Sequence, residues 1–168
     1  MSLNLYQVSV PAYIHTLKAL AGVLEKGAKH AEAKGIDPSV LLNSRLYPDM
    51  FPLVKQVQVA SDNAKGGAAR LAGQEPPKFE DDEKSFPELK ARIEKTIAYL
   101  QSLKPEQFNG AEERTITLQL RAGTMTLTGI KFFLHSSLPN FFFHCTTAYD
   151  ILRHNGVEIG KRDFLGNN

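Results

Sequence analysis

The sequence predicts a mainly α-helical chain: a four-helix bundle with a small β-hairpin between its third and fourth helices, forming one domain over residues 1–168. Three observations carry this. Apolar residues recur at spacings of three and four in four separate stretches. Between the third and fourth of these the period drops to two, over RTITLQLRAGTMTLTG, residues 114 to 129. Finally, 168 residues with 42% apolar and 23% charged content suit a single domain with a sizeable core.

The first helix is expected over residues 8 to 34, with Tyr13, Leu17, Leu20, Leu24 and Ala28 forming its apolar stripe. Pro11 fits the first turn, where its missing N–H costs nothing, and Gly35 fits the stop. Residues 36 to 52 form a connector with a short helical turn started by Asp37-Pro38; Asp49 is expected near the next N-cap, with Pro52 in the first turn. The second long helix runs from about 50 to 73, and its stripe is Leu53, Val57, Ala60, Ala64 and Ala68. Gly66-Gly67 weakens this helix without ending it, because Ala68 to Leu71 restores helix propensity.

QEPPKFEDDEKSFP, residues 74 to 87, is polar, acidic and proline-containing, and reads as a surface loop. Ser85 followed by Glu88 is a capping box for the third helix, about 86 to 103, with Leu89, Ile93, Ile97 and Leu100 inward. In the hairpin, Ile116, Leu118 and Leu120 alternate with threonines and Gln119; after Ala122-Gly123, Met125 and Leu127 continue the pattern. The last helical region starts near Gly129, is divided by Pro139, and stops at Gly156. The tail VEIGKRDFLGNN is expected to be non-helical.

Composition excludes several function classes. The net charge of +2 and the scattered lysines, diluted by Glu25 and Glu32, argue against nucleic acid as a partner. No apolar run approaches a membrane span, and the N-terminus lacks a signal-peptide pattern. The single Cys145 permits no intrachain disulfide, so a cytoplasmic location is the simplest reading. There is no phosphate-cradling glycine loop, HExxH, CxxC or nucleophile elbow.

LPNFFFHCTTAYDILRHNG, residues 138 to 156, holds the candidate chemistry. At 100° per residue, His144 shares a side with Ala148, Ile151 and Leu152, so it points into the bundle. A buried imidazole needs a partner: either it is a hydrogen-bonded core histidine, or it is a ligand or proton-transfer group in an inter-helix cavity. Asp150 and His154, four apart, read as a surface pair rather than a metal site, and Cys145 as a small buried hydrophobe. Phe141, Phe142 and Phe143 span about 200° of helix arc, so at least one must face the hairpin, a ligand pocket or a second subunit. In KRDFLG, Phe164 and Leu165 are expected to fold back and plug the bundle end; the alternative is a pocket cover presenting Lys161 or Arg162 to an anion.

RLYPDMFPLVKQVQVASDNAKGGAARLAG, the hairpin, and LPNFFFHCTTAYDILRHNGVEIGKRDFLG together resemble an uncharacterised bacterial family, a domain of unknown function within the DinB-like superfamily. The resemblance covers essentially the whole chain. It implies a DinB-like bundle, often dimeric, from a bacterial cytoplasm. Many members of that superfamily bind a divalent metal through one histidine of the second helix and an HxxxH pair of the fourth, and some are thiol-dependent transferases or hydrolases. Here His144 matches the first fourth-helix position, but Ala148 stands at the second, and residues 50 to 73 contain no histidine; Gln56, Gln58 and Asp62 are the polar candidates there.

The expectation is therefore an uncharacterised DinB-like protein with a degenerate or absent metal site. It keeps a small-molecule pocket lined by His144 and Tyr149, with Asn140, Arg153, Gln56 and Asp62 as neighbours, and forms a homodimer. The first alternative is a zinc- or nickel-dependent hydrolase or thiol transferase with an altered ligand set. The second is a non-catalytic protein that uses the phenylalanine-rich surface for interaction.

Overall fold

The computed structural model describes residues 4–120 and 123–167. Helix α1 spans Leu5–Lys34. It begins earlier than the apolar stripe suggests, because Asn4 and Gln7 form a reciprocal capping box upstream of Pro11. Pro11 consequently sits inside the helix, on an exposed position, rather than in its first turn. Gly35, at φ 63°, provides the left-handed stop.

Helix α2, Pro38–Asn43, is capped by Asp37, whose carboxylate accepts from the Ser39 N–H at 2.8 Å. Helix α3, Leu53–Leu71, starts after Pro52 and not near Asp49: the Pro48–Met50 segment is a turn, and Pro52 occupies the N-cap. Gly66-Gly67 lies within α3, as the surrounding propensity predicts. Helix α4, Phe86–Ser102, is capped by Ser85, whose hydroxyl accepts from Glu88 N–H. Strands β1, Thr115–Leu120, and β2, Gly123–Thr128, pair antiparallel. Their register sets Ile116 opposite Leu127 and Leu118 opposite Met125, so the apolar residues share the face that packs inward. The turn expected at Ala122-Gly123 falls partly outside the described residues.

The last helical region is one irregular rod. Helix α5, Gly129–Phe132, runs through a π turn at Phe133–Ser137 into α6, Leu138–His154. Pro139 has no N–H to donate and its ring crowds the carbonyl one turn back. The widened turn accommodates it: the Leu138 N–H bonds five residues back, to Phe133 O. Thus Pro139 widens the rod rather than dividing it. Asn155 and Gly156 close α6. The tail is not irregular throughout, as the sequence led us to expect. Lys161–Leu165 forms helix α7, started by Asp163, whose Oδ2 accepts from Gly160 N–H at 2.8 Å, and stopped by Gly166 at φ 68°.

Helices α1, α3, α4 and α6 form the bundle, with α3 packed most extensively on α6, and α1 touching the other three. The core is built from Tyr13, Leu17 and Leu24 of α1, Val57, Ala60 and Ala64 of α3, Leu89 and Ile93 of α4, and Phe141, Ala148 and Ile151 of α6, all fully buried or nearly so. Each large aliphatic among them contributes about 1.5–3 kcal/mol by burial. The alanines bring α3 and α6 close, which positions the polar groups described next. No helix among the described residues is long and apolar enough to cross a membrane.

Candidate functional site

His144 lies on the α3-facing side of α6 and is 8% exposed. Its Nδ1 is 2.6 Å from Gln56 Oε1. Gln56 is itself held: its Nε2 donates to Phe51 O at 3.0 Å, leaving its carbonyl oxygen toward the imidazole. A carbonyl oxygen only accepts, so Nδ1 carries the proton and the neutral ring presents an unprotonated Nε2. Burial lowers the His144 pKa below the usual 6.5, which favours this neutral form. Nε2 has no protein hydrogen-bond partner among the described residues. Two exposed rings flank the imidazole. Phe51, 49% exposed, lies nearly parallel to it at 6.5 Å between centroids, and Phe143, 55% exposed, meets it edge-on at 5.2 Å.

Of the residues expected to share a pocket with His144, only Gln56 hydrogen-bonds its side chain among the described residues. Asn140, one turn earlier on α6, donates to Asn63 Oδ1 at 3.0 Å. Asp62 Oδ1 is taken by Arg92 at 2.8 Å and Lys65 at 2.9 Å. The Tyr149 ring packs edge-on against Phe164 of α7 at 5.9 Å. Arg153 donates to Ile159 O at 2.7 Å and so anchors the tail. Tyr149 and Arg153 therefore belong to the packing of the C-terminal segment. There Phe164 is partly buried, but Leu165 is exposed rather than plugging the bundle end. Asp150 and His154 form no ion pair with each other among the described residues. Cys145 is buried without a base beside it, and burial pushes its thiol pKa far up, as expected of a small core residue.

Sequence reasoning missed two features. Arg92, whose side chain is 1% exposed, sits among carboxylates: Asp62 at 2.8 Å, Glu83 at 2.9 Å and Asp81 at 3.0 Å, with its Nη1 also donating to Glu80 O. This pins the acidic loop onto α3 and α4. The signal was present, since Arg92 falls beside Leu89, Ile93 and Thr96 on the buried side of α4. The second is a close approach of three elements. Tyr13 and Ser137 hydroxyls are 2.8 Å apart over Gly67, where an added Cβ would lie 2.1 Å from Ser137 Oγ.

The sequence profile described as Domain of unknown function (DUF1993) matches residues 5–165. The chain belongs to the DUF1993 family. A crystal structure of a DinB family member protein from Shewanella denitrificans superposes on this DUF1993 chain with a TM-score of 0.91. The two are 44% identical, over 96% of this chain and 92% of that one. No curated protein matches the chain significantly. The DinB-like bundle with its inserted hairpin is thus shared with a solved relative.

The three-histidine metal centre implied by the wider superfamily does not fit this DUF1993 protein. Gln56, the α3 side chain that faces His144, donates and accepts hydrogen bonds that lock the ring. Ala148 is fully buried and offers no donor. Among the described residues no group of three or more histidine, cysteine, aspartate or glutamate side chains is placed to hold a metal ion. What the arrangement can do is accept a hydrogen bond, or a proton, at one fixed imine nitrogen between aromatic surfaces.

Proposed function

We propose that the protein is a small-molecule-binding member of its family, and that His144 Nε2 is the polar recognition point. The observation that carries this reading is the Phe51 O···Gln56···His144 relay, which fixes the tautomer and orientation of an imidazole between two exposed rings. The chemistry fits a flat ligand bearing an N–H or O–H donor, such as a phenol or an aromatic amine. The Phe51 ring lies nearly parallel to His144 with centroids 6.5 Å apart, so an aromatic face is presented beside the imidazole. Phe51 precedes α3 in the connecting segment.

The test is binding of phenol, aniline and indole, against toluene as a donor-free control, followed by calorimetry and by the nitrogen chemical shifts of His144. A donor-bearing probe should bind more tightly than toluene and shift Nε2, and His144→Phe, which keeps the ring but removes the nitrogen, should abolish that preference. Equal binding of toluene, or an unchanged preference in His144→Phe, refutes the reading.

A second reading, a homodimer interface, is supported by the exposure of Phe51, Phe142 and Phe143. Light scattering decides it: a dimer mass that becomes monomeric in Phe143→Ser supports it, and a monomer at high concentration removes it. A metal-dependent hydrolase or thiol transferase has less support, because among the described residues His144 belongs to no group of three histidine, cysteine, aspartate or glutamate side chains placed to hold a metal ion.

A further inference from the structure

Two turns along α3 from Gln56 and one turn along α6 from His144, a second polar cleft of about 240 Å³ opens between α3, strand β1 and the π turn. Its walls carry Asp62, Asn63, Arg70, Gln119, Ser136 and Asn140. The floor is closed where Gly67 meets Ser137, a contact that any side chain at 67 would obstruct. The widened turn ahead of Pro139 brings Ser136 to the rim above the buried Ser137.

The hydrogen bonds inside the cleft leave a defined set of groups uncommitted among the described residues. Asn140 donates through Nδ2 to Asn63 Oδ1, and Asn63 Nδ2 donates to Val59 O, so Asn140 keeps a free carbonyl oxygen. Arg70 spends Nη1 on Gly66 O at 3.0 Å and keeps Nη2 and Nε as donors. Gln119 accepts from Thr124 through Oε1 and keeps its amide N–H groups. Asp62 binds Arg92 and Lys65 through Oδ1 and keeps Oδ2. A guanidinium and an amide donor thus share one small cleft with a carboxylate and an amide acceptor. An anionic group suits the first pair through charge-assisted hydrogen bonds, and a donor suits the second.

We propose that this cleft binds a small carboxylate bearing an amine or hydroxyl on the adjacent carbon, an amino or hydroxy acid. Arg70 receives the carboxylate, and Asn140 Oδ1 with Asp62 Oδ2 receives the neighbouring donor. The site is separate from His144.

The test is calorimetry of the full chain with L-alanine, L-lactate, propionate and ethylamine. L-alanine or L-lactate should bind better than both single-function probes, and which of the two wins distinguishes an amine from a hydroxyl donor. Arg70→Gln and Asn140→Ala should each weaken that ligand roughly tenfold or more, whereas His144→Phe should leave its affinity unchanged. Asn140 is exposed, so its replacement leaves the fold intact and keeps the test decisive if Arg70→Gln does not fold. No preference over propionate and ethylamine, retained affinity in Asn140→Ala, or loss of binding in His144→Phe would each overturn the proposal. Failure of the phenol and aniline experiment leaves this site untouched, and the reverse also holds.

Discussion

His144 Nδ1 and Gln56 Oε1 meet at 2.6 Å across the α3–α6 interface, so the buried imidazole has an internal partner supplied by a neutral amide. Gln56→Ala removes that acceptor and strands Nδ1–H. Chemical denaturation should register a loss of about 1–3 kcal/mol. The same variant should release the tautomer, visible as mixed Nδ1 and Nε2 protonation in nitrogen spectra.

Burial lowers the His144 pKa in the folded state. The unfolded chain, with the ordinary value near 6.5, therefore takes up a proton first as pH falls. Folding stability should decline as pH drops below that value, and the penalty is complete once pH passes below the folded-state pKa. Denaturation midpoints at pH 7.5 and 5 should diverge more in the wild type than in His144→Phe. Equal divergence would assign the pH dependence to other groups.

Gly67→Ala and Gly22→Ala should have opposite effects. At Gly67 the new methyl would lie 2.1 Å from Ser137 Oγ and 2.9 Å from Tyr13 Oη, prising apart a buried hydroxyl pair. Thermal unfolding should show destabilisation of about 1–3 kcal/mol. At Gly22, exposed within α1, a Cβ meets nothing within 4 Å, and alanine should stabilise by about 0.5–1 kcal/mol.

Arg92→Ala leaves Asp62, Asp81 and Glu83 without their shared cation and frees the Glu80 carbonyl. Asp62 and Asp81 are more than a third exposed and keep Lys65 and Lys55 as partners, so solvent and the lysines offset part of the loss, and destabilisation of about 1–3 kcal/mol is expected. The segment from 74 to 85 should also become the first site of limited proteolysis. An unchanged cleavage pattern would mean that Lys55–Asp81 and the Phe79 cation contacts hold the loop without Arg92.

Much of the bundle was legible because its signals are local. The stripe from Leu53 to Ala68, the Ser85 cap and the alternations at Ile116 and Leu118 and at Met125 and Leu127 each lie within one element, and the structure keeps them. Local signals failed where two were in competition. Pro11 suggested a helix start, but the Asn4–Gln7 box upstream provides one. Pro139 suggested a break, but a single wide turn absorbs its missing N–H. The non-helical expectation for the tail overlooked the Gly160–Asp163 cap that starts α7.

The candidate site divides in the same way. By itself the sequence determined that His144 faces inward, that Ala148 offers no second imidazole, and that α3 carries no histidine, because helical spacing fixes direction and residue type fixes chemistry. It also carried the family pattern to which the chain belongs. Only the tertiary structure decided which α3 side chain meets His144, that Tyr149 and Arg153 serve the tail, and that Asn63 with Asn140 marks a second polar cleft. The Gln56–His144 and Asn63–Asn140 pairings depend on the axial register between antiparallel helices more than 70 residues apart in sequence. That register is set by the summed packing of alanines and large side chains along the whole interface, and no single stretch of sequence contains it.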